Sequence, residues 1–298
     1  MPFDPRDLID PVFFSRLSSI ELRARSIVEG SMHGLHRSPY LGLSVEFATH
    51  REYAPGDDLR HLNWKLYARH DRLYVKEYDA ENNMNLYLLV DASASMSCAN
   101  AGRSKLHYAA SLAAALAHMA LKQRDAVGVT LFADSVLAHL SPRAKPNQLD
   151  EILATIARTE VRSAADNDRA LHQAAELASR RGMVVILSDL FGDLEAIVGG
   201  LDHLRYRNHE VIVFQIMDPY ERDLSVDGNI RFRDLESGES LTTHAESIRD
   251  AYKRAVDDWR QQLEVECRKR AIDRIELTTL DPPDRALLDY FVRRARTF

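Results

Sequence analysis

The sequence predicts an α/β protein with a mostly parallel central sheet, helices on both of its faces, and an N-terminal appendage. Three observations carry this. From residue 86 onward, short apolar runs alternate with segments of helical periodicity, the rhythm of strand–helix–strand units. The first run, residues 86–90 (LYLLV), is almost fully apolar, as expected of a strand covered on both faces. Residues 1–85 lack that rhythm, so the chain divides into a helix with a polar segment (1–85) and a sheet domain (86–298).

In chain order, residues 11–29 place Phe14, Leu17, Ile20, Leu22, Ile27 and Val28 at helical spacing between charged residues, predicting one amphipathic helix. Residues 30–85 are rich in His, Arg, Asp, Tyr and Asn, with Pro39, Gly42, Pro55 and Gly56 as turn formers. Two short strands are expected there, near 43–47 and 73–78. After the strand at 86–90, Leu106, Ala109, Ala113, Leu116 and Ala120 recur every three or four residues and predict a helix. Strands follow at 127–132, 183–187, 211–216 and 274–277. Helices are expected at 148–157, 168–180, 194–205, from 245 to 269, and from 284. The helix from 245 sets Ile248, Tyr252, Ala255, Trp259 and Leu263 on one face. Between Asp218 and Thr243, the stretch Ile230-Arg231-Phe232 to Leu241 reads as an inserted hairpin.

Composition limits the function classes. Hydrophobic residues make up 45% and charged residues 28%, ordinary for a soluble globular protein. A net charge of -6 repels a phosphate backbone, and the basic stretches Arg205-Tyr206-Arg207 and Arg293-Arg294-Ala295-Arg296 are short and suit helix ends, so nucleic acid is not an expected partner. Cys98 and Cys267 form neither a disulfide framework nor a CxxC site. The opening MPFDPRDLID has no apolar core of a secretory signal, and the stretch 111–121 is too short to span a bilayer. A cytoplasmic protein without membrane insertion is expected. There is no Walker A, GxGxxG, HExxH or GxSxG pattern.

One motif carries chemistry. In an open parallel sheet, ligands collect beyond the carboxyl ends of the strands. The first core strand ends at Val90 and is followed by Asp91-Ala92-Ser93-Ala94-Ser95. A carboxylate and two hydroxyls in one tight turn are hard oxygen donors, suited to Mg²⁺ or Mn²⁺ rather than zinc. A second apolar strand ends in Ser188-Asp189, which brings another carboxylate to the same rim. The metal set is therefore Asp91, Ser93, Ser95 and Asp189. The plain alternative is that the serines cap a helix and the Asp binds loop amides.

Asp91-Ala92-Ser93-Ala94-Ser95-Met96 resembles the metal-ion-dependent adhesion site (MIDAS) of von Willebrand factor A domains, whose fold is Rossmann-like. Upstream, Glu46-Phe47, Arg51-Glu52-Tyr53, Pro55-Gly56-Asp57-Asp58, Arg60, Asn63-Trp64-Lys65 and Ala68-Arg69 form a string that resembles the bacterial family called domain of unknown function fifty-eight. The resemblance runs from about residue 34 to the end. It implies a von Willebrand factor A-like fold and an adaptor that works with a MoxR-type AAA+ ATPase; it implies no catalytic residue. Arg51, Tyr53, Asp57, Asp58, Arg60, Trp64 and Arg69 are expected either to buckle the appendage to the sheet domain or to dock a partner. Adhesion sites of this type usually add a threonine, whose place falls near Ala165 in Ser163-Ala164-Ala165-Asp166-Asn167, so metal affinity is expected to be weak or lost. The expected function is a non-enzymatic protein-binding adaptor. Its alternative is a Mg²⁺-dependent phosphoester hydrolase using Asp91 and Asp189, for which no general base or phosphate loop is found.

Overall fold

The computed structural model describes Leu17 and residues 49–52, 74–77, 84–100, 102–162, 167–235 and 238–297. The chain divides into two compact units, Pro39–Asn83 and the remainder, Met1–Ser38 with Met84–Phe298. In the smaller unit, β1 (Thr49–Glu52) pairs antiparallel with β2 (Tyr74–Glu77), Arg51 opposite Val75. The strand expected at 73–78 is present as β2. The one expected at 43–47 lies outside the described residues, and β1 was not anticipated. Tyr53, Asp57, Asp58, Arg60, Trp64 and Arg69 also lie outside them, and Arg51 is described by its backbone alone.

The larger unit contains β3 (Asn85–Asp91), α1 (Lys105–Lys122), β4 (Ala126–Phe132), β5 (Val136–Arg143), α2 (Gln148–Arg158), α3 (Asn167–Leu177) and β6 (Met183–Ser188). It continues through α4 (Leu194–Tyr206), β7 (Glu210–Met217), the one-turn α5 (Pro219–Asp223), β8 (Asn229–Arg233), β9 (Ser240–His244), α6 (Ala245–Lys269), β10 (Asp273–Thr278) and α7 (Pro283–Thr297). Six strands form the central sheet in the order β10-β7-β6-β3-β4-β5. All neighbours are parallel except β4 and β5.

Alternation along β3 splits the core in two, because successive side chains of a strand point to opposite faces. Leu86, Leu88 and Val90 join α1, Ile152 and Ile156 of α2, and Leu287 and Tyr290 of α7. Leu17, helical and fully buried, belongs to this cluster too. Tyr87 and Leu89 join Leu171 and Ala174 of α3, Ile197 and Leu201 of α4, and Leu263 and Cys267 of α6. Helices thus cover both faces, as expected. The alanines of α1 at 109, 110, 113, 114, 115 and 117 are all fully buried, alongside Leu106, Tyr108 and Leu112 of the same helix.

Three details correct the sequence expectations. β5, an antiparallel edge strand, was not anticipated. Its VLAHLSPR is mostly half-buried and carries Pro142, which suits an edge, and its pairing with β4 is broken by two register shifts. On α6, Ala255 is exposed and Val256 is buried in its place, so the apolar stripe runs Ala245, Val256, Leu263, Cys267. The short α5 was also unforeseen. It is held by a capping box, with Asp218 accepting from the Tyr220 amide and Glu221 reaching back to the Asp218 amide.

Candidate functional site

The chain turns back on itself at β3, with β4 on one side and β6 on the other. This is a topological switch point, where the carboxyl ends of adjacent parallel strands leave a crevice. Asp91 ends β3 and Ser188 ends β6, so both arrive at that rim.

Asp91 is buried, at 1% exposure. Its Oδ1 accepts the Ser93 amide at 2.8 Å, and its Oδ2 accepts the Ser188 hydroxyl at 2.5 Å. Ser188 Oγ in turn accepts the Leu190 amide at 2.9 Å. The turn after Asp91 is a short 3₁₀ helix, Ala94–Ser97, pinned by the fully buried Met96. It brings Ser93 Oγ and Ser95 Oγ into a hydrogen bond at 3.0 Å. The segment that approaches α3 is joined to the loop by an isolated bridge, the Arg162 amide donating to the Ala92 carbonyl at 3.0 Å. Ser163, Ala165 and Asp166, where a further ligand was sought, follow directly but lie outside the described residues.

Asp189 reaches the same rim, as expected, and is equally buried. Its Oδ1 accepts the Phe191 amide at 3.2 Å, and its Oδ2 faces the Lys105 ammonium at 2.7 Å. Lys105 is fully buried and also meets Glu221, at 2.9 and 2.7 Å from its two carboxylate oxygens. Lys105, Glu221 and the hydroxyl of Ser188 are the site residues that sequence reasoning missed. The one signal for the lysine was a basic residue directly after the helix cap Ser104, at the head of an apolar helix.

The electrostatics follow from burial. The Asp91 carboxyl is pushed up to about 7, foremost by desolvation and then by the Asp189 charge, against the pull of its bonds to Ser188 and Ser93. Burial alone would lower the Lys105 pKa, but the Asp189 and Glu221 carboxylates outweigh it and raise the ammonium above its ordinary value. Lys105 therefore neutralises Asp189. Among the described residues no cationic side chain pairs with Asp91. Cys98, on the wall of the adjoining cavity, has its thiol pushed up to about 12 by burial and by Glu221, which makes it a poor nucleophile.

A divalent cation fits this donor set. Octahedral Mg²⁺ with bonds of about 2.1 Å has neighbouring ligands about 3.0 Å apart, the spacing of Ser93 Oγ and Ser95 Oγ. Both Asp91 oxygens, though hydrogen-bonded, retain lone pairs. No group of three or more His, Cys, Asp or Glu that could hold a metal occurs among the described residues, so the binding would rest on one carboxylate and hydroxyls.

The model of the family described as "Protein of unknown function DUF58" matches residues 49–262. The chain belongs to this family. Uncharacterized proteins of Mycobacterium bovis and Mycobacterium tuberculosis are each 28% identical over 256 residues, covering 84% of this chain and 80% of theirs. Among solved structures, the conserved hypothetical protein BatB from Bacteroides thetaiotaomicron is similar, with 16% identity and a TM-score of 0.48 over 72% of this chain and 100% of that one. An aerotolerance-related membrane protein from Bacteroides fragilis is similar with 14% identity and a TM-score of 0.44, at the same coverage. In this DUF58 chain, no helix among the described residues is long and apolar enough to cross a membrane.

Proposed function

We propose that this DUF58 protein is a non-enzymatic, von Willebrand factor A-like adaptor that binds a MoxR-type AAA+ ATPase in the cytoplasm through a cation held by Asp91, Ser93 and Ser95. The observation that carries this is the buried Asp91 carboxylate, held without a cationic partner among the described residues, beside two hydroxyls spaced as neighbouring metal ligands. Its position at the switch point of a sheet ordered β10-β7-β6-β3-β4-β5 supports the A-type reading. Mg²⁺ or Mn²⁺ bound there would supply a Lewis-acidic site for a carboxylate of the partner. Asp189, tied to Lys105, lies beside the loop as a positioning group. With hydroxyls as most of the donors, affinity for the metal is modest.

The test is capture of a MoxR-type AAA+ ATPase of the same organism, with and without EDTA, using wild type and Asp91→Ala of verified fold. Capture that needs Mg²⁺ or Mn²⁺ and is lost in Asp91→Ala is the expected result. Equal capture under all conditions would overturn the role of the loop. Hydrolysis of generic phosphoesters that depends on Asp91 and Mg²⁺ would overturn the adaptor in favour of a hydrolase.

A further inference from the structure

Between the loop and the β8–β9 hairpin lies a cavity of about 760 Å³, within the size range of ligand pockets. Four consecutive residues of β8 line it: Ile230, Arg231, Phe232 and Arg233. Since successive strand side chains point to opposite faces, a cavity touched by all four lies against the strand's edge. β9 occupies the other edge, and among the described residues no strand pairs with this one. An open edge of this kind presents unpaired backbone N–H and C=O groups.

The two faces of the hairpin differ. Ile230 and Phe232 are half-buried and lie opposite Thr243 and Leu241, the latter 64% exposed, so this face carries uncovered apolar surface. Arg231 and Arg233 are exposed and lie opposite Thr242 and Ser240. Arg231 contacts only a hydroxyl, that of Ser240, at 3.3 Å, and neither guanidinium pairs with a carboxylate among the described residues. Glu221, on the cavity wall, is engaged through both oxygens by Lys105, and Asp234 has a polar partner of its own.

We propose that an extended peptide segment of a protein partner adds to the free edge of β8 as a third strand. Its side chains alternate. Acidic ones lie on the face of Arg231 and Arg233, and apolar ones lie on the face of Ile230 and Phe232, because residues opposite one another on paired strands share a face. Ser95 lies on the wall of the same cavity, so the end of the segment carries a carboxylate toward the loop. This last point rests on the adaptor reading above; docking on the β8 edge does not.

The experiment is fluorescence anisotropy with the full chain and three labelled nonapeptides. In one, glutamate and valine alternate; in the second, the same residues are sorted into an acidic and an apolar block; in the third, lysine replaces glutamate in the alternating order. The alternating glutamate peptide should bind, and the block peptide on the order of tenfold more weakly. Arg231→Glu with Arg233→Glu, of unchanged circular dichroism, should reverse the preference to the lysine peptide. Equal binding of both glutamate peptides would reduce the site to a diffuse charged patch and overturn strand addition, as would no binding at all or binding unchanged by the charge reversal. Edge binding that persists in EDTA would stand even where metal-dependent capture of the ATPase fails. Conversely, EDTA-sensitive ATPase capture unchanged in the arginine double variant would overturn the edge and leave the loop intact.

Discussion

Asp91→Asn keeps the shape of the side chain and removes its charge, which isolates what burying that charge does to the fold. In the unfolded chain the carboxyl ionises at its ordinary 3.8; in the fold it does so at about 7. Between these values the native state holds more protons than the unfolded one, so stability falls as pH rises through this window and levels off above it. At about 1.4 kcal/mol per pH unit the full window amounts to about 4 kcal/mol, of which about 2 kcal/mol falls between pH 5 and pH 7. Asn has no such titration. Its amide keeps the bond from the Ser93 amide and can donate to Ser188 Oγ. The stability of Asp91→Asn relative to wild type should therefore rise by about 2 kcal/mol from pH 5 to pH 7 and level off by about pH 8. Urea unfolding in EDTA at four pH values measures it. A difference flat with pH, or one that favours wild type as pH rises, would refute the assignment of an uncompensated buried charge to Asp91.

Further outcomes test the surroundings of the site. Lys105→Met leaves Asp189 buried without its cation and should cost about 3–5 kcal/mol in chemical denaturation; adding Asp189→Asn and Glu221→Gln should recover most of the loss. Mg²⁺ at a hundredfold excess over its Kd should stabilise wild type by about 2.7 kcal/mol and leave Asp91→Ala unchanged, as read by thermal unfolding. Gly128→Ala would set a Cβ 2.6 Å from the Leu140 carbonyl oxygen and 2.7 Å from the Pro142 nitrogen, backbone atoms of the β5 edge. It should cost about 1–3 kcal/mol by equilibrium unfolding, and protection of the β5 amides should fall most in hydrogen exchange.

Local pattern was enough for the sheet and its helices. The apolar runs at 86–90 and 183–187 read as strands covered on both faces, and they are β3 and β6. Once those strands are parallel, residues just past their ends share a rim, so the sequence pattern alone puts Asp91 and Asp189 together. The Asp91–Ser95 loop was legible for the same reason, since its oxygen-bearing side chains sit within one turn of chain. β5 and the stripe of α6 were less so, because a half-exposed edge strand and a long, mostly polar helix give weak periodicity. The tertiary structure alone decided what each carboxylate meets. Lys105 joins Asp189 and Glu221 across 84 and 116 residues of sequence, and Ser188 reaches Asp91 across 97. Periodicity reports which face of an element is buried, and has no means of reporting which buried groups converge from separate elements. That convergence determines the electrostatics of the site: Asp189 is neutralised by an internal ammonium, and Asp91 is met by the Ser93 amide and the Ser188 hydroxyl, with no cationic side chain among the described residues.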